Sequence, residues 1–321
     1  MIFPILELSA FVDRKTDPQF HISFYGPRYW FTWLGLGFFK LLAILPVSIS
    51  MRLGVGIGYL FYYLARPRRH ITEVNVALCF PELSAQKQDQ LVRGIMRAVG
   101  ISVVETSIAL WGSDKQIKGR YTIKGVEHIE AVQAEGKGII LMGSHQTTLD
   151  LVGRILSSHI TFDVLYRRDP NPLLSYMISQ ARERFATSAI PRDDTRQLIR
   201  NLRKGHSVWY APDQDYGLKH GVFAPFFGVN AATIVGTGRI AQMGQAKVIP
   251  MSYYRNAQGH YEIEFYPPLD NFPSGDDVAD ATRTNAVIEE IIRRQPDQYL
   301  WVHRRFKTRP PGEPSFYRKK R

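Results

Sequence analysis

The chain has 321 residues, a mass of 36.7 kDa, a formal charge of +12 and a pI near 9.7. That length accommodates one large domain or one domain with an appendage, and the charge points to an anionic partner, either a membrane surface or a nucleic acid. Its only cysteine, Cys79, excludes an internal disulfide and a thiolate metal cluster, which fits a reducing compartment.

Residues 1–29 include Asp13, Asp17 and Pro18 and lack a compact basic leader followed by a short apolar core and a small-residue cleavage site, so no cleaved signal peptide is expected. Residues 30–65, WFTWLGLGFFKLLAILPVSISMRLGVGIGYLFYYLA, have Lys40 and Arg52 as their only charges. Two apolar pieces meet near Pro46, and neither reaches the length usual for an uncharged spanning helix. Trp30, Trp33, Tyr59, Tyr62 and Tyr63 near the ends suit a water–lipid boundary, and the two cations can snorkel toward head groups. We expect a membrane element here: a spanning helix first, with a hairpin, interfacial helices or buried core helices as alternatives. Arg66, Arg68 and Arg69 follow and place the rest of the chain on the cytoplasmic side of a spanning segment. GVGIG inside the element reads as small residues for close helix packing rather than a nucleotide loop.

Residues 66–118 are expected to form a helical linker. Within them, 83–111 repeat apolar residues at Leu91, Ile95, Val99, Val103 and Ile108, with Ser84 as the cap. Glu105 is expected on the surface and Cys79 as a packing residue.

From residue 119 onward helices and strands alternate, which predicts a single mixed α/β domain extending to a basic tail at 321. Residues 119–143 give a short strand, a helix carrying Ile129 and Val132, and a strand at Ile139–Met142 that is apolar on both faces, as a central strand requires. Strands are then expected at 160–167, 206–212, within 246–255 and, as a further or edge strand, at 260–268. Helices are expected at 171–185, 193–205, 230–245 and 280–296.

His145 stands just past the carboxyl end of the Ile139–Met142 strand, where open α/β sheets place ligand chemistry. In HQTTLD it is followed five residues later by Asp150. If Thr147 or Thr148 caps a helix there, Asp150 sits in its first turn and reaches back to fix the imidazole tautomer, leaving the other nitrogen to accept a hydroxyl proton. A capped loop with an incidental histidine is the plainer alternative. Ser144 is an alternative nucleophile, but no G-x-S-x-G elbow surrounds it.

Arg167, Arg168 and Arg192 each follow an apolar segment and offer forked donors for phosphate. Asp213 and Asp215, after the 206–212 strand, are candidates for a carboxylate pair facing one side, a metal site or a tight turn. His303, Arg304 and Arg305 are candidates for a basic rim. No dinucleotide fingerprint, Walker A sequence or recognisable nucleic-acid module is present.

The segments HQTTLD, LYRRDPNPLL, IPRDDTRQLIRNLRKGHSVWYAPDQDYG, GVFAPFFG and YLWVHRRFKTRPPGEPS together resemble the bacterial lipid A secondary acyltransferases, the lauroyl and myristoyl transferases. GSHQTTLD also matches the broader H-x4-D/E signature of glycerolipid acyltransferases. The resemblance runs along nearly the whole chain. It implies an enzyme on the cytoplasmic face of the bacterial inner membrane that moves a fatty acyl group from acyl carrier protein to the hydroxyl of an acyl chain on a Kdo-lipid A precursor, without a metal or other cofactor. It places the catalytic pair on His145 and Asp150, with aspartate where many relatives have glutamate. It places substrate contacts on Tyr166, Arg167, Arg192, Asp213 and Asp215. The implied partners are acyl carrier protein, the lipid A precursor and anionic membrane lipid, with no nucleic acid. A phospholipid acyltransferase acting on glycerophosphate or lysophospholipid is the nearest alternative, and a basic membrane-associated or nucleic-acid-binding protein is the non-enzymatic one.

Overall fold

The computed structural model describes residues 19–166, 169–182, 189–191 and 194–318. Two short 3-10 turns, Ile22–Tyr25 and Pro27–Tyr29, lead into helices α1 (Trp30–Ile44) and α2 (Val47–Leu64), which meet at Pro46 as the sequence suggests. Helices α3 (Arg66–Cys79) and α4 (Ala85–Trp111) follow, and the Ser84 side chain caps α4 by accepting from the Lys87 N–H. The 15 residues of α1 extend about 22 Å and the 18 of α2 about 27 Å. By length and composition α2 and α4 are both apolar enough to cross a membrane, but 83% of the α4 window is buried inside the fold, against 22% for α2.

Helix α4 is therefore a core helix. Val103, Val104 and Ile108 pack with the strands of the body, and Glu105, expected on the surface, is fully buried. An isolated carboxylate could not be held there. Glu105 pairs with the Arg255 guanidinium and accepts from the Tyr261 hydroxyl at 2.8 Å, which offsets its lost hydration.

The body alternates β1 (Tyr121–Lys124), α5 (Val126–Ala134), β2 (Ile139–Met142), α6 (Leu149–Ser157), β3 (Asp163–Tyr166), α7 (Pro172–Arg182), β4 (Ala189–Pro191), α8 (Thr195–Arg203) and β5 (Ser207–Tyr210). A hairpin, β6 (Gly221–Phe226) and β7 (Val229–Ile234), precedes α9 (Gly236–Gly244), β8 (Lys247–Arg255), β9 (Tyr261–Phe265) and α10 (Asp277–Arg294). The main sheet has the order β1-β9-β8-β2-β5-β3-β4 and is parallel except where β8 meets β9. Strand β2 lies between β5 and β8, and all four of its residues are buried, as its continuous apolar run predicts. Burying them contributes on the order of 6–12 kcal/mol before entropy is counted.

One expectation for these elements is corrected. Residues 230–245 are not one helix: the stretch to Ile234 is strand β7, and only Gly236–Gly244 is helical. The preceding turn explains why, because Phe227 and Gly228 both have positive φ and form the tight two-residue reversal that pairs Phe226 with Val229. Of the two options for 260–268, a further or an edge strand, β9 is a further one, lying inside the sheet between β1 and β8, while the edge position belongs to β1.

The carboxy-terminal segment is built into the body as far as Tyr317. Tyr299 and Trp301 are fully buried, and the Tyr317 hydroxyl donates to Asn75 at 2.6 Å while accepting from the Phe306 N–H at 3.0 Å. Arg309 stacks on Phe316 and pairs with Glu313.

Candidate active site

Strands β2 and β5 are parallel and in register, with Met142 opposite Tyr210. Three residues past Met142 is His145, and three past Tyr210 is Asp213, so the two chains leave the sheet at the same height and meet beyond its carboxyl edge. The His145 Nδ1 lies 2.6 Å from Asp213 Oδ1, and the His145 backbone N–H donates to Asp213 Oδ2 at 2.8 Å. A carboxylate can only accept, so Nδ1 carries the proton, and whenever the ring is neutral the lone pair is on Nε2. The Asp213 side chain is fully buried, whereas His145 retains 14% exposure, enough for a substrate to reach it.

Burial by itself raises the Asp213 carboxyl pKa. The charge of His145 and the hydrogen bonds from its ring and backbone outweigh that effect and hold Asp213 well below the ordinary carboxylate range. Asp213 is therefore ionised at neutral pH. The Trp209 ring stands edge-on to the imidazole at 5.9 Å.

The sequence reading gave this place on Nδ1 to Asp150. Asp150 does lie in the first turn of α6, behind Thr148 at the cap position, but the Thr148 hydroxyl makes no capping bond. The Asp150 carboxylate accepts from the Thr106 hydroxyl of α4 at 2.7 Å. The local spacing thus pointed to Asp150, while the register of two distant strands brings Asp213 onto Nδ1.

The loop 144–148 is held from several sides. The Tyr253 hydroxyl of β8 donates to the Ser144 carbonyl at 2.5 Å, and burial pushes that phenol far above its usual pKa. The Thr147 N–H donates to the Gln298 carbonyl at 2.7 Å, and the Leu300 N–H donates to the His145 carbonyl at 2.9 Å. Gln298 in turn exchanges two hydrogen bonds with the backbone of Arg255, the partner of Glu105. Tyr253, Arg255 and Gln298 belong to no motif in the sequence; only their convergence on one loop marks them. The Ser144 hydroxyl is buried and accepts from the Gln146 amide at 3.1 Å.

The other candidates divide. Asp215 does not share a face with Asp213: its two oxygens accept from the Thr308 hydroxyl, the Thr308 N–H and the Gly217 N–H, each at 2.8 Å, so it ties the carboxy-terminal segment to the site loop. The expected basic rim at 303–305 is also corrected. Arg304 is exposed, but Arg305 is fully buried and donates to the Ala232 carbonyl at 2.8 Å and Thr233 Oγ1 at 3.1 Å. His303 donates from Nδ1 to the Leu300 carbonyl at 2.5 Å, and burial pushes its pKa down to about 4 against the pull of Asp213, so it is neutral at pH 7. Tyr166 closes β3, with its side chain outside the described set, and Arg167, Arg168 and Arg192 lie outside the described residues. Among the described residues no three His, Cys, Asp or Glu side chains are grouped to hold a metal ion. Cys79 is buried, and that burial raises its thiol well above the usual value, in keeping with a packing role.

A loop histidine held by a buried carboxylate at the carboxyl edge of a parallel sheet has the geometry that proton transfer requires. Residues 17–308 match the family of bacterial lipid A biosynthesis acyltransferases, and the chain belongs to it. It is 39% identical over 302 residues to the lipid A biosynthesis lauroyltransferase of Escherichia coli, covering 94% of this chain and 99% of that protein. It is 35% identical to the palmitoleoyltransferase of the same organism, over 93% of this chain and 98% of that one, and 29% identical to its myristoyltransferase, over 94% and 95%. The chain is thus an acyltransferase of lipid A biosynthesis.

Proposed function

We propose that the chain transfers a fatty acyl group from acyl carrier protein to the hydroxyl of an acyl chain on a Kdo-lipid A precursor, at the cytoplasmic face of the bacterial inner membrane. The observation that carries this reading is the His145–Asp213 pair, which puts a lone pair on Nε2 of a histidine open to substrate. The hydroxyl oxygen attacks the thioester carbonyl while Nε2 takes its proton. The resulting tetrahedral intermediate collapses by expelling the carrier thiolate, which recovers the proton from the imidazolium. Asp213 holds the ring through Nδ1–H and stabilises its positive charge.

Asp150 acts as the second negative charge of the site, oriented by Thr106, and assists in holding His145 and stabilising its cation. Both carboxylates act on the buried Tyr253 phenol through their charge, which supports placing Asp150 in the same electrostatic field as Asp213. Backbone N–H groups or an arginine stabilise the oxyanion. Tyr166, Arg167, Arg168 and Arg192, three of which follow β3 and β4 in the sequence, serve the phosphates of the acceptor.

The test is transfer by purified full-length enzyme, with acyl carrier protein thioesters of graded chain length as donors. Kdo-lipid A precursor and lysophospholipid are offered as competing acceptors and products are read by mass spectrometry. The expected result is one added acyl chain on the lipid A precursor, nearly abolished in His145→Ala. Transfer to lysophospholipid alone, or wild-type turnover in His145→Ala, overturns the proposal.

A further inference from the structure

Helices α1 and α2 each present an apolar stripe away from the body. On α1, Phe31, Leu34 and Leu41 are exposed by 87%, 72% and 54%, opposite the buried stripe Leu36, Phe39 and Leu42. On α2, Ile49, Leu53 and Leu60 are exposed, opposite Ser50, Gly54, Gly58 and Tyr62. A water-exposed helix normally has the reverse pattern. Lys40 on α1, Arg52 on α2 and Arg66 at the start of α3 are exposed, a charge pattern that complements anionic head groups.

The inner stripe determines how this element meets the bilayer. A Cβ on Gly58 would stand 2.6 Å from the Arg97 Cα, and one on Gly100 would stand 2.1 Å from the Gly58 nitrogen. Backbone therefore touches backbone, and the middle of α2 is locked against α4 beside Arg97. Arg97 in turn lies 3.8 Å from the Asp297 carboxylate on the body. If α2 crossed the membrane, Gly58, the twelfth of its 18 residues, would hold this ion pair at a depth only about 4 Å from the bilayer centre, where such groups are costly. Helix α1, at about 22 Å, is shorter than a hydrocarbon core of about 30 Å.

We propose that α1 and α2 form a lipid-facing strip that lies in a single leaflet of an anionic bilayer and does not cross it. This rests on the membrane location proposed above but not on the reaction. It replaces the spanning helix expected first from the sequence.

Nitroxide labels on single-cysteine variants Ile49→Cys, Leu53→Cys, Leu60→Cys and Leu64→Cys of the full chain report depth by electron paramagnetic resonance, in vesicles of phosphatidylethanolamine and phosphatidylglycerol. Cys79 is buried, so the unsubstituted chain serves as the blank. The labelled positions are exposed, so the fold tolerates them, and acyl transfer by each labelled protein checks this. We expect all four labels within about 5–10 Å of the head-group boundary, a flat profile. A spanning α2 gives instead a rise to about 15 Å at Leu53 and Leu60 with shallow ends, and that profile overturns the proposal. Labels that remain in water at all four positions also overturn it. Either failure with turnover intact leaves the proposed reaction standing, whereas a flat profile with no turnover on any acceptor separates the two in the other direction.

Discussion

Replacing Asp213 by asparagine tests the pair at the centre of the site. In the wild type the carboxylate accepts from both Nδ1–H and the backbone N–H of His145. An asparagine of the same shape satisfies the backbone N–H through its amide oxygen, which leaves its NH2 facing Nδ1. Nδ1 must then accept, the ring proton moves to Nε2, and Nε2 can no longer take a proton from the hydroxyl. The charge term acts in the same direction. With charge centres about 4 Å apart and an effective dielectric near 20, an ionised Asp213 stabilises the imidazolium of the transition state by about 4 kcal/mol, or roughly 10³-fold in rate. We therefore expect kcat/KM for acyl transfer to fall by about three orders of magnitude in Asp213→Asn, with the melting transition in detergent showing a folded protein. Turnover within tenfold of wild type refutes this reasoning. If Asp150→Asn then shows the large loss, the tautomer-fixing role returns to Asp150.

Three further outcomes are expected. Ser144→Ala should keep turnover within about threefold and lose about 1 kcal/mol of stability, because its hydroxyl only accepts from Gln146; loss of activity in a folded variant restores the covalent serine route. Asp215→Ala removes the acceptor of three hydrogen bonds and should cost about 1–3 kcal/mol in unfolding measurements, while the folded fraction turns over normally; a selective rise in KM for the lipid acceptor assigns Asp215 to substrate instead. His303 titrates from 6.5 in the unfolded chain but about 4 in the folded one, so the unfolded state binds the extra proton between these values. Wild type should accordingly lose up to about 3 kcal/mol as pH falls through that window, and His303→Gln should show a flatter curve; parallel curves contradict a buried neutral imidazole.

What the sequence made legible follows from the range of the interactions concerned. The apolar run Ile139–Met142, the cap at Ser84 and the break at Pro46 are local patterns, and each element stands where its pattern places it. The place of His145 just past β2 was legible because a strand end is also a local feature. Its Nδ1 partner was not, because Asp213 lies 68 positions away and reaches it only through the β2–β5 register. Glu105 misled for a similar reason: its charge suggested solvent, and Arg255 and Tyr261, which make burial tolerable, come from two distant strands. In 303–305 the row of cations suggested a surface, but Arg305 is held by neutral oxygens of β7 that no charge pattern reveals.

Helix α4 connects the apolar face of α2 to the loop that carries His145. Val104 packs against Gly54 of α2, while Thr106, two residues on and about 200° round the helix, donates to Asp150. Glu105, between them, fixes Arg255, whose backbone grips Gln298, which receives the Thr147 N–H. The strip and the site loop are thus attached to opposite sides of one rigid, largely buried helix about 10–12 Å across. On the proposed placement and reaction, a lipid acceptor whose chains remain in the leaflet has to extend its hydroxyl only by a distance of that order to reach Nε2. The apolar face of α2 and the loop that carries His145 are consequently linked through a single element, whose interior is charged and hydrogen-bonded although its composition alone would suit a membrane.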